Sequence, residues 1–185
     1  MHIRGDSLAD EVRVTLSAGV ELANDLDQGL ARLHQILVDH AFARAERATG
    51  EDLDDVAACF APVAAILLAL PATELAGAVE AVNRQLAASQ VEPSLRSHDG
   101  FALHIHWTGS AASFGRQVAV DVLMALAQTL CDDGTARFGW CAAAGCDRLF
   151  HDATKNRSRR FCSDPRCATR THTAQHRARR RAGQQ

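Results

Sequence analysis

Four cysteines near the C-terminal end constrain this chain more than any other feature. Cys141, Cys146, Cys162 and Cys167 follow the pattern C-x4-C-x15-C-x4-C. Each pair flanks a four-residue turn, "CAAAGC" and "CSDPRC", so each can grip an ion from one turn. The spacer between the pairs is long enough to form a hairpin, and "RLFHD" and "RRF" read as its strand-like runs, joined by the polar "ATKNRS". Zinc takes four ligands in a tetrahedron and favours thiolates, so one Zn2+ per chain is the expected cofactor. Four thiolates close the shell, which makes the metal structural rather than catalytic. Two other readings of these thiols stay open: small buried side chains packing as hydrophobes, or a disulfide formed from an empty site. A mixed set of Cys162 and Cys167 with His172 and His176 is a further alternative. Only four residues separate Cys167 from His172, however, where fingers of that type use a spacer of about 12. Cys59 and Cys131 fall on apolar helical faces and read as core.

Charge divides the chain at "CDDGTARFGW". Residues 1–136 carry 8 Arg/Lys against 19 Asp/Glu, and residues 137–185 carry 12 against 3. Such a split describes an acidic body with a basic arm for a polyanion. Domains are therefore expected at 1–136 and 137–185. Apolar residues make up 47% of the chain, enough to bury a core, so the body is globular rather than disordered. The opening "MHIRGDSLADEVRV" lacks the apolar stretch of a secretory signal. The run "VAAILLALP" is too short to cross a bilayer. A cytoplasmic protein without membrane partners is expected, and there thiols stay reduced.

Most of the body reads as helix. Leu26, Leu30, Leu33 and Leu37 recur at helical spacing, with Gly50 as the stop. "EDLDDVAACFAPVAAILLALP" continues helical, with Pro62 expected to kink or split it and Pro71 to end it. Thr73 is the expected cap of "ELAGAVEAVNRQLAAS", whose Leu75, Val79, Val82 and Leu86 form an apolar stripe. The period then changes to two. Phe101, Leu103, Ile105 and Trp107 alternate with Ala102, His104, His106 and Thr108, and "SHDG" supplies turn chemistry. Residues Ser94–Arg96 and Phe101–Trp107 thus form a β-hairpin whose polar face carries the two histidines. A helix over 111–131 follows, with Val118, Val122, Leu126 and Leu130 inward. The first 20 residues are ambiguous between strand and helix. The fold class is mainly α: a helical N-terminal domain with one β-hairpin, plus a small zinc-binding hairpin/helix module.

Arginines crowd the second cysteine pair. "SDPRCATRTHTAQHRARRRAG" starts with Ser163 or Asp164 as cap and Pro165 in the first turn, and ends at Gly183. It has no hydrophobic stripe, so neither core packing nor a membrane surface suits it. Arg166, Arg170, Arg177 and Arg181 lie roughly along one face with Arg179 and Arg180 beside them, and Arg157, Arg159 and Arg160 add a cluster before Cys162. Of these, Arg159, Arg160, Arg170, Arg177, Arg179, Arg180 and Arg181 are the candidate nucleic-acid contacts, aimed at phosphates or guanine edges.

At these residues the chain resembles the CGNR zinc-finger family, bacterial proteins with an N-terminal ABATE domain described as stress-induced transcription regulators. The shared elements are Cys141 and Cys146, "FHD" at Phe150–Asp152, "RRFCS" at Arg159–Ser163 and "CATR" at Cys167–Arg170. Ala168 and Thr169 stand where the family has Gly and Asn. At the N-terminal end, the family's Asn-Thr corresponds to Asn24 of "VELAND" alone. The resemblance implies a zinc-dependent DNA-binding regulator, with DNA as partner, a homodimer through the N-terminal domain, and a small-molecule signal. The alternative is a zinc-stabilised interaction module for RNA or an acidic protein. A third reading is an enzyme using His104 or His106, although the sequence holds no phosphate loop, nucleophile elbow or H-E-x-x-H.

Overall fold

The computed structural model describes residues 8–96 and 103–182. It divides into two units, residues 1–135 and 136–185. The first is helical. It contains α1 (Leu8–Asp25), α2 (Leu30–Asp39), α3 (Gly50–Ala69), α4 (Leu75–Ala88) and α5 (Phe114–Asp133), with the short strands β1 (Ser94–Arg96) and β2 (His104–His106) before α5. The ambiguous N-terminal stretch is therefore helix from Leu8 onward.

α3 is the centre of this unit and packs against α1 and α5. Its start is fixed by a capping box: the Thr49 hydroxyl accepts from the Asp52 amide at 3.2 Å, and the Asp52 carboxylate accepts from the Thr49 amide at 3.0 Å. Leu53, Val56, Phe60, Val63, Ala64 and Leu67 are buried along one face. α5 brings Val118, Val122, Leu126 and Leu130 to meet them, all buried as expected. Asp55 on α3 accepts the Gly115 amide at 2.7 Å and so ties the first turn of α5 to the central helix. Between α1 and α2, Arg32 donates to Glu21 and to Asp25, and His40 sits 2.9 Å from Glu21.

Several local expectations change. Gly50 opens α3 instead of closing the previous helix, which ends at Asp39. A turn with Ala41 and Arg44 at positive φ and a 3-10 turn at Ala45–Arg47 fill the gap. Pro62 does not split α3, because its ring lies on an exposed side of the helix where the lost backbone bond meets water. Pro71 sits in the 3-10 turn Leu70–Ala72, and Glu74, not Thr73, is the N-cap of α4. The Thr73 hydroxyl turns back to the Ala69 carbonyl at 2.8 Å. On α4 only Ala78 and Val82 are buried, while Leu75 and Val79 are exposed. By length and composition, Gly50–Ala72 could cross a bilayer, more than the short run "VAAILLALP" implied. Its place between α1 and α5 makes it the core helix of this unit.

The β1–β2 hairpin pairs antiparallel with Leu95 opposite Ile105. Its Asp99-Gly100 turn and Phe101 lie outside the described residues. The two faces are the reverse of the expected ones. Leu95 (66%), Leu103 (67%) and Ile105 (43%) are exposed, whereas His104 and His106 are half-buried. Strand side chains alternate strictly, so turning the leucines outward turns both imidazoles inward.

The second unit consists of β3 (Phe138–Trp140), β4 (Leu149–His151) and α6 (Pro165–Ala182). β3 pairs antiparallel with β4, with Gly139 opposite Phe150. A Cβ on Gly139 would stand 2.8 Å from the Phe150 ring, so any larger residue there would force that ring to move.

Candidate metal centre

The hairpin encloses the first cysteine pair instead of linking the two pairs. β3 runs straight into Cys141, whose amide donates to the Arg148 carbonyl at 2.9 Å. The chain then reverses through Ala143 and Gly145, which adopts φ +72°, a region open to glycine. The Cys146 amide closes that turn on the Ala143 carbonyl at 3.1 Å. The run "RRF" is not a strand. It meets the first turn through a single backbone bond, from Ala142 to the Arg160 carbonyl at 2.8 Å.

Asp152 folds the spacer. Its buried carboxylate accepts from the Thr154 amide (2.8 Å), the Thr154 hydroxyl (2.6 Å) and the Arg159 amide (2.8 Å). Burial pushes this acid up, but the three donors outweigh burial and hold it below the usual carboxylate range. Sequence reasoning passed over this role. The readable signal was Asp-Ala-Thr, an Asx-type turn sequence.

The second pair is set by the start of α6. Asp164 caps the helix, its carboxylate accepting the Arg166 amide at 2.9 Å and its carbonyl the Cys167 amide at 3.1 Å. The Arg166 guanidinium also chelates this carboxylate, pulling Asp164 down to about 2. Cys162 and Cys167 are buried, and Cys141 is buried opposite them.

All four Sγ atoms lie within 4.8 Å of one another. The Cys146 and Cys162 sulfurs are 3.9 Å apart, and those of Cys162 and Cys167 are 3.8 Å apart. A tetrahedral zinc with bonds of about 2.3 Å spaces its sulfurs about 3.8 Å apart, whereas a disulfide needs about 2.05 Å. The cage therefore fits zinc and not a bridge. Ala143 and Phe161 wrap it in apolar surface. Burial raises the Cys141 thiol, yet the amides of Cys162 and Ala143 pointing at its sulfur more than offset this and bring it to about 7. Cys162 is pushed up to about 12, by burial first and then by the crowd of neighbouring sulfurs. Four thiols this close resist ionising together, and a dication removes that resistance.

The histidine alternative does not form. Among the described residues the candidate ligands are the four cysteines alone. His172 packs edge-on against Phe161 with ring centroids 5.7 Å apart, and His176 is exposed. Of the two remaining cysteines, Cys59 is half-buried and donates to Asp55, while Cys131 is exposed and not core.

The candidate arginines separate into three groups. Arg159 is half-buried and spends its guanidinium on the Phe161 carbonyl at 2.8 Å and on the Phe150 ring, so it braces the module. Arg170 is exposed and donates to the Cys167 sulfur at 3.7 Å. Arg160, Arg177, Arg179, Arg180 and Arg181 are exposed. At about 100° per residue, Arg177 and Arg181 flank Arg170 within about 20°, Arg180 lies about 80° away, and Arg179 points to the opposite side. Ala168 and Thr169 are ordinary helical residues here, the Thr169 hydroxyl bonding the Pro165 carbonyl at 3.0 Å.

A cage of four cysteine sulfurs drawn from two turns, with a helix growing from its last ligand, defines a structural zinc finger. Residues 137–180 match the family model for the CGNR zinc finger. No curated protein matches the chain. The match and the sulfur geometry together assign one structural zinc ion to Cys141, Cys146, Cys162 and Cys167.

Proposed function

We propose that this is a zinc-dependent, non-enzymatic DNA-binding protein of the cytoplasm, a transcription regulator that meets duplex DNA through α6. The observation that carries the reading is the exposed basic sector on that helix. Arg177, Arg180 and Arg181 are exposed and make no ion pair among the described residues, and Arg170 lies in the same sector. Zinc at Cys167, one turn before Arg170, would hold this sector at a fixed angle. A rigid row of guanidinium groups suits the repeating phosphates of a duplex. The acidic balance of residues 1–136 would repel DNA elsewhere and confine contact to the finger. The ABATE-type identity of the helical unit belongs to this proposal, resting on Asn24 and on the order of its elements.

Fluorescence anisotropy of the zinc-loaded chain against duplex DNA, single-stranded RNA and polyglutamate tests the reading. Duplex DNA should bind tightest, with steep loss of affinity as salt rises. Equal or tighter binding of RNA or polyglutamate would replace it with the interaction-module alternative.

A further inference from the structure

The inverted hairpin covers a cavity of about 360 Å³ in the helical unit. Its walls are α1, β2 with Trp107, and α5. The volume falls in the range of small-molecule sites, roughly 300–1,000 Å³. The chemistry of the wall is uneven. Glu11 from α1 and Asp121 from α5 bring two carboxylates, and neither Arg nor Lys lines the space among the described residues. Met124 and Trp107 add apolar surface to the lining. His104 and His106 enter from β2 with ring centroids 4.7 Å apart.

Two features mark this as a built site and not a packing fault. The hairpin exposes Leu95 and Leu103 while turning two imidazoles toward the cavity, against the rule that apolar faces go inward. Local rules broken in this way concentrate at functional sites. Asp121, meanwhile, sits on a core helix beside buried Val120 and Val122. Desolvation raises its carboxyl to about 6, although the chain's own α-amino group pulls it down.

We propose that this cavity binds a small organic cation, an amine carrying an aromatic or apolar body. The ammonium group would meet Asp121 and Glu11, and the body would lie against Trp107 and Met124. A carboxylate lowered into low dielectric beside an indole face attracts such a cation by ion pairing and by the ring's quadrupole. The same wall repels acids, so sugar phosphates and carboxylic acids of equal size are excluded.

The test uses three probes with one aromatic body: tryptamine, indole and indole-3-acetate. Each is titrated into the full chain at neutral pH while backbone amide resonances are followed. Tryptamine should move resonances on α1, β2 and α5 and bind at least about tenfold tighter than indole or indole-3-acetate. Asp121→Asn should remove that preference while leaving the resonance dispersion of the helical unit intact. Glu11→Gln, on the other wall, should weaken tryptamine about three- to tenfold and serves if the first variant does not fold. Indole-3-acetate binding as tightly as tryptamine would overturn the proposal, as would no movement of the cavity resonances with any of the three probes.

Discussion

Replacing Arg177 and Arg181 by alanine removes half of the exposed basic sector of α6 without touching the zinc cage. Both side chains are exposed, and alanine is the strongest helix former, so the helix should persist. The sector holds Arg170, Arg177, Arg180 and Arg181. If each neutralises one phosphate, log affinity should fall with log salt at a slope of about −3.6, and about −1.8 in the double variant. Between 50 and 200 mM salt the parent chain then loses about 150-fold in affinity and the variant only about 12-fold. Anisotropy titrations on several unrelated duplexes at three or four salt concentrations measure this directly. The loss should be the same on every duplex, because phosphate contacts carry no sequence information. An unchanged slope refutes the reasoning, since it means that these arginines never reach the backbone. A loss confined to one duplex would place them on base edges instead.

Stripping the metal with a strong chelator should collapse the amide dispersion of residues 136–185 and leave that of the helical unit in place. Among its described residues the module buries Phe138, Leu149 and Phe150 as large apolar side chains, at about 1.5–3 kcal/mol each, against about 10–16 kcal/mol from structural zinc. One cooperative melt of the whole chain would contradict this. Gly139→Ala should destabilise the finger by about 1–3 kcal/mol by driving a methyl group into the Phe150 ring, seen as faster zinc loss to a chelator. Asp121→Asn should stabilise the helical unit at neutral pH, by no more than about 3 kcal/mol. The folded value of about 6 lies above the ordinary 3.8, so the folded state holds its proton more tightly, with Glu11, His104, His106 and Cys131 facing the same cavity. Stability therefore falls as pH rises from about 4 to about 6 and stays lower above that, and the variant should lose this fall in thermal melts.

The zinc cage was legible because metal chemistry demands a residue type and a spacing, and both survive in one dimension. The helices of the first unit were legible where apolar residues recur at helical spacing, as at Val118, Val122, Leu126 and Leu130. Where a position depends on what packs across it, the string was silent. Ala-rich α4 leaves Leu75 and Val79 exposed, and no periodicity says which half of a stripe finds a partner. The hairpin is the sharpest case. Alternation assigned two faces to β2 correctly, but which face turns inward depends on α1 and α5, far away in sequence. The spacer failed for a related reason: "RRF" has strand chemistry, yet the Asp152 carboxylate claims the Arg159 amide and holds the segment out of the ladder. Arg179 was misplaced by proximity in sequence, since two residues along a helix turn a side chain away.

Zinc K-edge absorption on the freshly purified, reduced chain tests the central assignment most directly. One zinc per chain with a first shell of four sulfurs at about 2.3 Å is the predicted result. A shell containing nitrogen or oxygen scatterers, or reduced protein that takes up no zinc, would contradict it.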